Sequence, residues 1–330
     1  MTRVVLEFPE GGAGGLARLR LLLMVVMAGA CWAPVAPASA KLQIGISEQT
    51  PSVFAEPLFA PLHLRYGRIV VPWNIGRRHD YWPKILDAWL AGAARQHVQP
   101  HVAFGEPSYS NKLIGRGPTH AQYWLAFAAF RKRWPQVRVF TPWNEETFYR
   151  APTYHNPGLA AWYYRIVRRQ CPTCTVVAAD LLDLPNLTGW LHGFLKHVGH
   201  ARPRLWGVHN YRDANRMRSL DASWTLKLAR MVRGRIWVTE SGGIDGLEDH
   251  KGHVTWPYSP SRASASMRHL FHLITAKRVR RRYGRVYIYN FYGSWDRHHR
   301  TAEWDSGLVG LDGRPRPAYW ELRHLVAANR

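Results

Sequence analysis

Short apolar runs alternate with longer amphipathic segments along residues 41–330 of the chain. The longer segments carry apolar residues at helical spacing, as at residues 81–97 and 119–135. Nearly continuous apolar character over a short run is typical of strands that are buried on both faces, as in a parallel sheet. The eight runs, rich in Val, Ile and aromatic residues, cover residues 42–47, 68–73, 100–105, 137–144, 175–180, 205–210, 235–240 and 285–291.

This alternation predicts a single α/β domain with the (β/α)8 fold, the TIM barrel. A doubly wound sheet is the alternative, but that fold usually has a Gly-rich phosphate-binding turn after its first strand. The segment "GISEQTP" at residues 45–51 has no such turn. In a barrel the functional groups lie at the C-terminal ends of the strands, which directs attention to the residues that follow each run.

Residues 1–40 are predicted to be a secretory signal peptide, separate from the domain of residues 41–330. Arg18 and Arg20 precede the apolar run of residues 21–33, and Ala38 and Ala40 form an Ala-x-Ala cleavage pattern. The apolar run is too short for a comfortable membrane span. We therefore expect cleavage after Ala40 and a secreted protein, with lipid attachment at Cys31 as the alternative.

The charge balance predicts anionic partners. The chain has 45 Lys and Arg residues against 22 Asp and Glu, a formal net charge of +23. A positive potential of this size concentrates anionic polymers, so cell-envelope polyanions and uronate-bearing glycans are candidates. The densest cluster, residues 277–285, has a second interpretation as the solvated end of a helix. No nucleic-acid-binding motif is present, and we expect no nucleic-acid partner.

Cysteine and histidine positions argue against a metal or a cofactor. Cys171 and Cys174 form a CxxC pair with no second pair to complete a zinc site. In an exported protein a local structural disulfide is favoured over a redox pair. His298, His299 and the histidines of residues 250–253 lack the spacing of metal ligands. A serine hydrolase is also disfavoured, because no G-x-S-x-G motif occurs.

Two acids stand where a barrel would place functional groups. Glu145 follows the fourth run within the triplet Trp143-Asn144-Glu145, and Glu240 ends the seventh run. The fourth and seventh strands lie on opposite sides of a barrel mouth. Cleavage of a glycosidic bond requires two carboxyl groups that flank the bond, one to protonate the leaving oxygen and one to attack or to activate water.

These segments resemble the clan A glycoside hydrolases, a superfamily of retaining (β/α)8 enzymes, and are most similar to its family 39-like and family 5-like members. "GVHNYRD" at residues 207–213 and "GLVGLDGRPRPAYWELR" at residues 307–323 extend the resemblance over nearly all of residues 41–330. The resemblance implies that Glu145 is the general acid/base and Glu240 the nucleophile. Where many members have Asn-Glu-Pro, this chain has Glu146 in place of the proline, and we interpret Glu146 as a helix-start or surface acid.

The resemblance also implies roles for four neighbouring residues. Asn144 would bind the sugar 2-hydroxyl, Tyr211 would hydrogen-bond the nucleophile and His209 would line the site. Arg68 would keep the nucleophile ionised by its charge. Each has a structural alternative that stays open: a satisfied core histidine for His209, and structural salt bridges for Arg68 and Glu240.

Tryptophans near the ends of the runs are candidates for sugar contacts. Trp73, Trp143 and Trp295 all occupy such positions, and we expect Trp73 and Trp295 to be stacking platforms. The alternative is that these rings belong to the core, as do many aromatic rings in a Trp-rich chain.

Two functions follow. The first is a secreted, monomeric, retaining glycoside hydrolase that cleaves β-linked poly- or oligosaccharides. Its candidate substrates include anionic saccharides. The second is a non-catalytic glycan-binding or cell-envelope-associated protein on the same barrel.

Processing of the leader gives the first testable prediction. When an export-competent host secretes the chain, we expect a mature N-terminus at Lys41, because small residues at positions 38 and 40 fit signal peptidase. Intact-mass measurement of the secreted protein reads the cleavage site directly. Replacing Ala38 and Ala40 with leucine should block processing, whereas Ala36→Leu should not. A mature chain that retains residues 1–40 would contradict the prediction.

Overall fold

The computed structural model describes residues 41–106, 117–249 and 251–329. The predicted leader, Cys31 and His250 lie outside these residues. In chain order the strands are β1 (Gln43–Ser47), β2 (Tyr66–Pro72), β3 (Gln99–Gly105), β4 (Val139–Thr141), β5 (Thr175–Val176), β6 (Asp180–Leu182), β7 (Leu205–His209), β8 (Arg235–Ser241), β9 (Gly246–Glu248), β10 (Val254–Trp256), β11 (Tyr283–Tyr289) and β12 (Trp304–Asp305). The helices are α1 (Trp82–Arg95), α2 (His120–Arg133), α3 (Pro157–Gln170), α4 (Leu187–Val198), α5 (Tyr211–Asn215), α6 (Trp224–Met231), α7 (Pro260–Thr275) and α8 (Pro317–Ala328).

Nine of these strands form one parallel sheet in the order β5-β4-β3-β2-β1-β11-β8-β7-β6. β5 and β6 are two halves of a single run at residues 175–182, the fifth of the predicted strands. The first half pairs with β4 and the second half pairs with β7. Between them Val177 donates to the Phe140 carbonyl and Ala178 donates to the Leu205 carbonyl. The fifth strand therefore closes the sheet into an eight-stranded barrel, which confirms the predicted (β/α)8 fold.

Amphipathic helices cover the outside of the barrel. α1 buries Leu86, Trp89 and Ala93 against the sheet and faces solvent with its polar residues. α2 begins at a capping box, in which Thr119 Oγ1 accepts from the Gln122 amide and Gln122 Oε1 accepts from the Thr119 amide. Burial of the apolar faces, rather than helix propensity, stabilises such helices.

A layer of side chains fills the barrel at the N-terminal ends of its strands. The Arg285 guanidinium lies between the rings of Tyr66 and Trp237, with its carbon 3.8 Å and 3.9 Å from the two ring centres. Arg285 also donates to Gln43 Oε1 and to the Tyr287 hydroxyl. Stacking and hydrogen bonds together satisfy this buried cation without a carboxylate.

The structure departs from the predicted pattern in two places. β4 is only three residues long, because Pro142 has no amide hydrogen to continue the ladder. The loops after β8 and β11 contain a second, three-stranded sheet in the order β10-β9-β12, which the apolar pattern did not predict.

Cys171 and Cys174 are joined by a disulfide, with Cα atoms 5.3 Å apart, between the end of α3 and the start of β5. Both cysteines are buried. Among the described residues, no helix combines the length and the apolar character that crossing a bilayer requires.

Gly207 on β7 gives a prediction about stability. A Cβ atom at this position would lie 2.2 Å from Asp180 Oδ1 and 2.8 Å from Thr239 Oγ1 inside the barrel. Gly207→Ala should lower the free energy of unfolding by about 1–3 kcal/mol, as overpacking of a filled interior does. The measurement is equilibrium denaturation.

Gly189→Ala is the matched control. Gly189 is an exposed position within α4, where an added Cβ meets nothing within 4 Å. Alanine there should stabilise the protein by roughly 0.5–1 kcal/mol. Equal effects of the two substitutions would contradict the packing described for β7.

Candidate active site

A cavity of about 590 Å³ opens at the C-terminal ends of the barrel strands. Its wall combines carboxyl, amide, phenol and indole groups with apolar side chains, the composition typical of ligand sites. The lining residues are Gln49, Val70, Val71, Trp82, Glu106, Asn144, Glu145, Phe148, Leu182, Asp183, Leu184, Tyr211, Arg212, Glu240, Tyr289 and Trp304.

The two predicted carboxylates meet in this cavity. One carboxylate oxygen of Glu145 lies within 4.8 Å of one of Glu240, and a ring nitrogen of His209 is within the same distance of both. The Glu145 side chain is 19% exposed and that of Glu240 is 12% exposed. The two acids therefore face each other across a space that a ligand can enter.

Arg68 lies beneath the cavity and holds Glu240. Its Nη1 donates to Glu240 Oε2 at 2.8 Å and to Ser47 Oγ at 3.1 Å, and the guanidinium is completely buried. Burial opposes the charged form, but Asp180 and Glu240 outweigh it and raise the pKa of Arg68 above its ordinary value. The structure thus places Arg68 in contact with a predicted catalytic residue.

Asp180 is the central residue that the sequence interpretation missed. Arg68 Nη2 donates to Asp180 Oδ2 at 2.7 Å, and His209 Nε2 lies 3.8 Å from the same oxygen, an ion-pair distance. Burial would raise the pKa of Asp180, but Arg68 and His209 outweigh burial and hold the pKa well below its ordinary value. The available signal was an acid at the end of an otherwise apolar run, residues 175–180.

His209 bridges the acids of the site. Its Nδ1 lies 3.2 Å from Glu145 Oε1 and donates to it. Burial would lower the pKa of the imidazole, but Glu240, Asp180 and Glu145 outweigh burial and raise the pKa to about 10. His209 therefore carries a positive charge at neutral pH, and its partners are the carboxylates of the site.

The backbone at Glu145 separates the two neighbouring acids. Glu145 has φ of 53°, a left-handed conformation that is uncommon for residues other than glycine, asparagine and aspartate. Such a conformation costs about 1–3 kcal/mol and persists where surrounding contacts fix it. Here the Glu145 carbonyl accepts from the Phe148 amide at 2.9 Å.

Glu146 faces the protein interior, so its interpretation as a helix-start or surface acid was wrong. The residue is 1% exposed, and its Oε2 accepts from the Asp180 amide at 2.6 Å. Burial and the nearby Asp180 carboxylate raise the pKa of Glu146 well above its ordinary value. Glu146 thus supports the backbone beneath the cavity through its hydrogen bond to the Asp180 amide.

Asn144 and Tyr211 complete the contacts around the two carboxylates. The Tyr211 hydroxyl donates to Glu240 Oε1 at 3.1 Å, while burial and Glu240 raise the pKa of the phenol well above its ordinary value. Asn144 Oδ1 accepts from Arg68 Nη2 at 2.6 Å, which fixes the orientation of the amide. Both residues line the cavity.

Two of the tryptophans predicted to contact sugar are enclosed by protein. Trp143 is 0% exposed and stacks on Tyr163, and Trp295 is 2% exposed and donates its indole N–H to the Ala302 carbonyl. Their rings cannot reach a ligand in the cavity, and this part of the prediction is corrected. Trp73 is half-buried beside the cavity, where its side chain hydrogen-bonds Glu106.

The tryptophans that line the cavity are Trp82 and Trp304, which the sequence interpretation did not single out. Trp82 begins α1. Trp304 lies on β12 and meets the Tyr211 ring edge-on at 4.9 Å between centroids. Both sit outside the apolar runs that guided the prediction.

A buried ion pair positions the loop that carries Trp304. Arg316 forms a two-pronged contact with Asp305, with each N–O distance 2.9 Å, and its Nη1 lies 3.2 Å from Asp245 Oδ2. Burial raises the pKa of Asp245 to about 7, with Arg316 opposing and Asp305 reinforcing the shift. Arg316 also donates to the Trp295 carbonyl, so Trp295 has a structural role in the same loop.

Glu145, His209 and Glu240 are compact enough to be considered as a cation site. The local charge argues against that use. His209 already carries a proton, and the Arg68 guanidinium is 2.8 Å from Glu240 Oε2. Two cations in contact with the carboxylates would repel a third.

Solved structures share this fold. No protein-family model matches the sequence, and no curated protein matches it. A family 39 glycoside hydrolase from the gut symbiont Bacteroides cellulosilyticus WH2 is similar with a TM-score of 0.58 and 16% identity, over 88% of this chain and 64% of that one. The chain thus spans less than two thirds of that enzyme's length.

Two further structures are similar over most of both chains. Xylanase B from Clostridium stercorarium F9 has a TM-score of 0.60 and 10% identity, over 86% of this chain and 96% of that one. A GH5_18 variant from Streptomyces cattleya, in complex with Manb1-4GlcNAc, has a TM-score of 0.56 and 16% identity, over 88% and 81%. The chain has the fold of these glycoside hydrolases.

The charge on His209 predicts a pH dependence of stability. Its pKa is raised from 6.5 to about 10, so its stabilising contribution is complete below pH 6.5 and is lost as pH rises through 10. Each such group contributes at most about 1.4 kcal/mol per pH unit. His209→Gln should therefore flatten the fall in the free energy of unfolding between pH 7 and 9.

Chemical denaturation at several pH values measures these slopes. His324→Gln is the control, an identical substitution at an exposed position on α8, away from the barrel mouth. Equal slopes for the wild type and His209→Gln would show that His209 is neutral in the folded protein.

Proposed function

We propose that this protein is a retaining glycoside hydrolase that cleaves β-glycosidic bonds in a poly- or oligosaccharide. The observation that carries the proposal is the separation of Glu145 and Glu240, whose nearest side-chain oxygens lie within 4.8 Å of each other. Retaining enzymes have carboxyl groups about 5–5.5 Å apart, whereas inverting enzymes need about 6.5–9.5 Å to admit a water molecule. The spacing therefore supports double displacement.

In the first step Glu240 attacks the anomeric carbon while Glu145, in its protonated form, gives its proton to the leaving glycosidic oxygen; Glu145 Oε1 still accepts from His209 Nδ1 in that form. The bond to the leaving group breaks and an ester forms between the sugar and Glu240. Arg68 and Tyr211, both hydrogen-bonded to Glu240, orient the attacking carboxylate. Because these donors come from the barrel framework, their positions are fixed before the substrate binds.

In the second step Glu145, now ionised, takes a proton from a water molecule that attacks the same carbon. The ester breaks, Glu240 is released as a carboxylate, and the sugar keeps its original configuration. The protonated His209 donates to Glu145 and supports its negative charge in this step. Neither step uses a metal or a cofactor.

The cavity wall favours a neutral sugar over an anionic one at the bond to be cleaved. Four acids, Glu106, Glu145, Asp183 and Glu240, line the cavity with Arg212 as the one basic residue among the described lining. Burial and the neighbouring Asp213 raise the pKa of Asp183 to about 8, which leaves it mostly neutral at pH 7. The described wall therefore offers only Arg212 as a basic group to pair with the carboxylate of a uronate.

Trp82 and Trp304 are the candidates for stacking against sugar rings, since indole faces suit the apolar C–H faces of a pyranose. Arg68 fixes the amide oxygen of Asn144, so the amide nitrogen is the group that would donate to a sugar hydroxyl. The β linkage is supported by Manb1-4GlcNAc in the similar GH5_18 structure. Secretion after cleavage at Ala40 and a monomeric state complete the proposal.

Substitution of the two carboxylates tests the assignment. A panel of neutral β-linked oligosaccharides first identifies a substrate. Glu145→Gln should then lower kcat/KM on that substrate by roughly 10²–10⁴-fold through loss of general acid catalysis. Glu240→Gln should remove activity altogether, because no ester can form.

The choice of leaving group in the substrate distinguishes the acid/base role of Glu145 from the nucleophile role of Glu240. An aryl glycoside with an acidic phenol needs little protonation, so Glu145→Gln should still form the ester with it, whereas Glu240→Gln should not. Glu106→Gln is the control, since Glu106 lines the same cavity with a hydrogen bond to Trp73. Full activity of both carboxylate variants would refute the assignment. Binding of glycans with no turnover by the wild type would favour the non-catalytic barrel protein.

A further inference from the structure

A second cavity, of about 550 Å³, lies on the outside of the barrel between α2 and α3. We call it the α2–α3 groove. It shares no lining residue with the central cavity. Its polar and aromatic lining consists of His120, Trp124, Trp162, Arg165, Arg168 and Arg169.

The groove concentrates positive charge without acidic partners. Arg165, Arg168 and Arg169 have no ion pair with any carboxylate of the described residues, and no acid lines the groove. Some exposed arginines elsewhere do have such partners, as in the pairs Arg268–Glu321 and Arg278–Asp221, whereas Arg280 and Arg281 have no ion pair among the described residues. Three guanidiniums in one concave surface form a site for carboxylate or phosphate groups.

Two exposed indoles hold two of these three arginines in place. Arg165 lies over the Trp162 ring at 4.7 Å and Arg169 lies over the Trp124 ring at 5.7 Å. On Trp162 the His120 ring also stacks, at 4.1 Å between centroids. Stacked guanidiniums lose less side-chain freedom when they bind a ligand, so the groove is organised before binding.

The indoles also leave apolar surface in the groove. Trp124 is 38% exposed and Trp162 is 40% exposed, although rings of this size usually bury most of their area. A ligand that matches the groove therefore carries anionic groups and apolar patches at short intervals. An acidic sugar polymer has both, in its carboxylates and in the C–H faces of its rings.

We propose that the α2–α3 groove binds an acidic polysaccharide whose sugar units carry carboxylates. The guanidiniums of α3 pair with successive carboxylates, and the exposed parts of Trp124 and Trp162 contact the sugar rings between them. The Trp162 ring already carries His120 and Arg165, so a sugar contacts the exposed edge of this indole and does not stack flat on its face. Single-stranded nucleic acid suits the groove less well, because its bases bind by stacking flat on open aromatic faces. This site is separate from the proposed catalytic site and goes beyond it.

The test is a titration of the full secreted protein with fluorescently labelled polygalacturonate oligomers, followed by anisotropy at low and at physiological salt. Arg165→Gln together with Arg169→Gln should weaken binding by about tenfold or more, since each removes charge-assisted hydrogen bonds. The control is Arg280→Gln with Arg281→Gln, an equal loss of exposed charge in the cluster of residues 277–285. The control should change Kd by less than about threefold, as expected for screened surface charge.

Competition distinguishes the class of ligand. Neutral dextran should not displace the labelled oligomer, and polyphosphate and a single-stranded oligonucleotide should compete only at much higher concentration. Equal weakening by the two double substitutions would overturn the proposal in favour of diffuse charge attraction. Tighter binding of polyphosphate or of the oligonucleotide would overturn the assignment to acidic sugars.

A tryptophan substitution and an activity measurement test the groove independently of the arginine variants. Trp162→Ala should weaken binding while Trp320→Ala, at an exposed tryptophan on α8, should not. Arg165→Gln with Arg169→Gln should leave turnover of a short neutral substrate unchanged. If the wild-type protein turns over the neutral substrate but does not bind polygalacturonate, only the groove proposal fails. If it binds polygalacturonate but turns over no substrate, only the catalytic proposal fails.

Discussion

The pairing of the buried Arg68 guanidinium with two carboxylates fixes the arrangement of the barrel mouth. Arg68 projects from β2 and reaches Glu240 on β8, Asp180 on β6 and Asn144 after β4. Removing one partner of such a network leaves an uncompensated charge in the interior and is strongly destabilising. The same contacts that neutralise Arg68 also orient the groups proposed to act on substrate, so stability and chemistry depend on one set of hydrogen bonds.

That network explains why two neighbouring glutamates have different environments. The left-handed backbone at Glu145 directs its side chain to the cavity, where His209 meets it. Glu146 then faces the interior and accepts from the Asp180 amide. Asp180 and Glu146 are adjacent acids whose pKa values are shifted in opposite directions by their surroundings. Arg68 and His209 lower the pKa of Asp180, whereas burial and the Asp180 carboxylate raise that of Glu146.

The sequence was informative where a structural feature repeats and uninformative where it depends on one tertiary contact. Eight apolar runs that alternate with amphipathic segments predicted the barrel, and the barrel directed attention to Glu145 and Glu240. No pattern distinguishes Trp295 from Trp304, because the contacts of Arg316 with Asp305 and with the Trp295 carbonyl decide which indole is enclosed. Likewise, composition gave the excess of positive charge but not its location. The acids cluster in the barrel mouth, while the unpaired arginines of α3 face outward.

The Arg285 layer at the N-terminal end of the barrel determines how substrate can enter the cavity and how product can leave it. With Tyr66 and Trp237 stacked on either side of that guanidinium, the barrel axis is plugged and the cavity is a blind pit. A polymer cannot be threaded through it, so a chain either lies across the rim or places one of its ends in the pit. The product leaves through the same opening by which the substrate enters, so a departing fragment and an arriving chain compete for that opening.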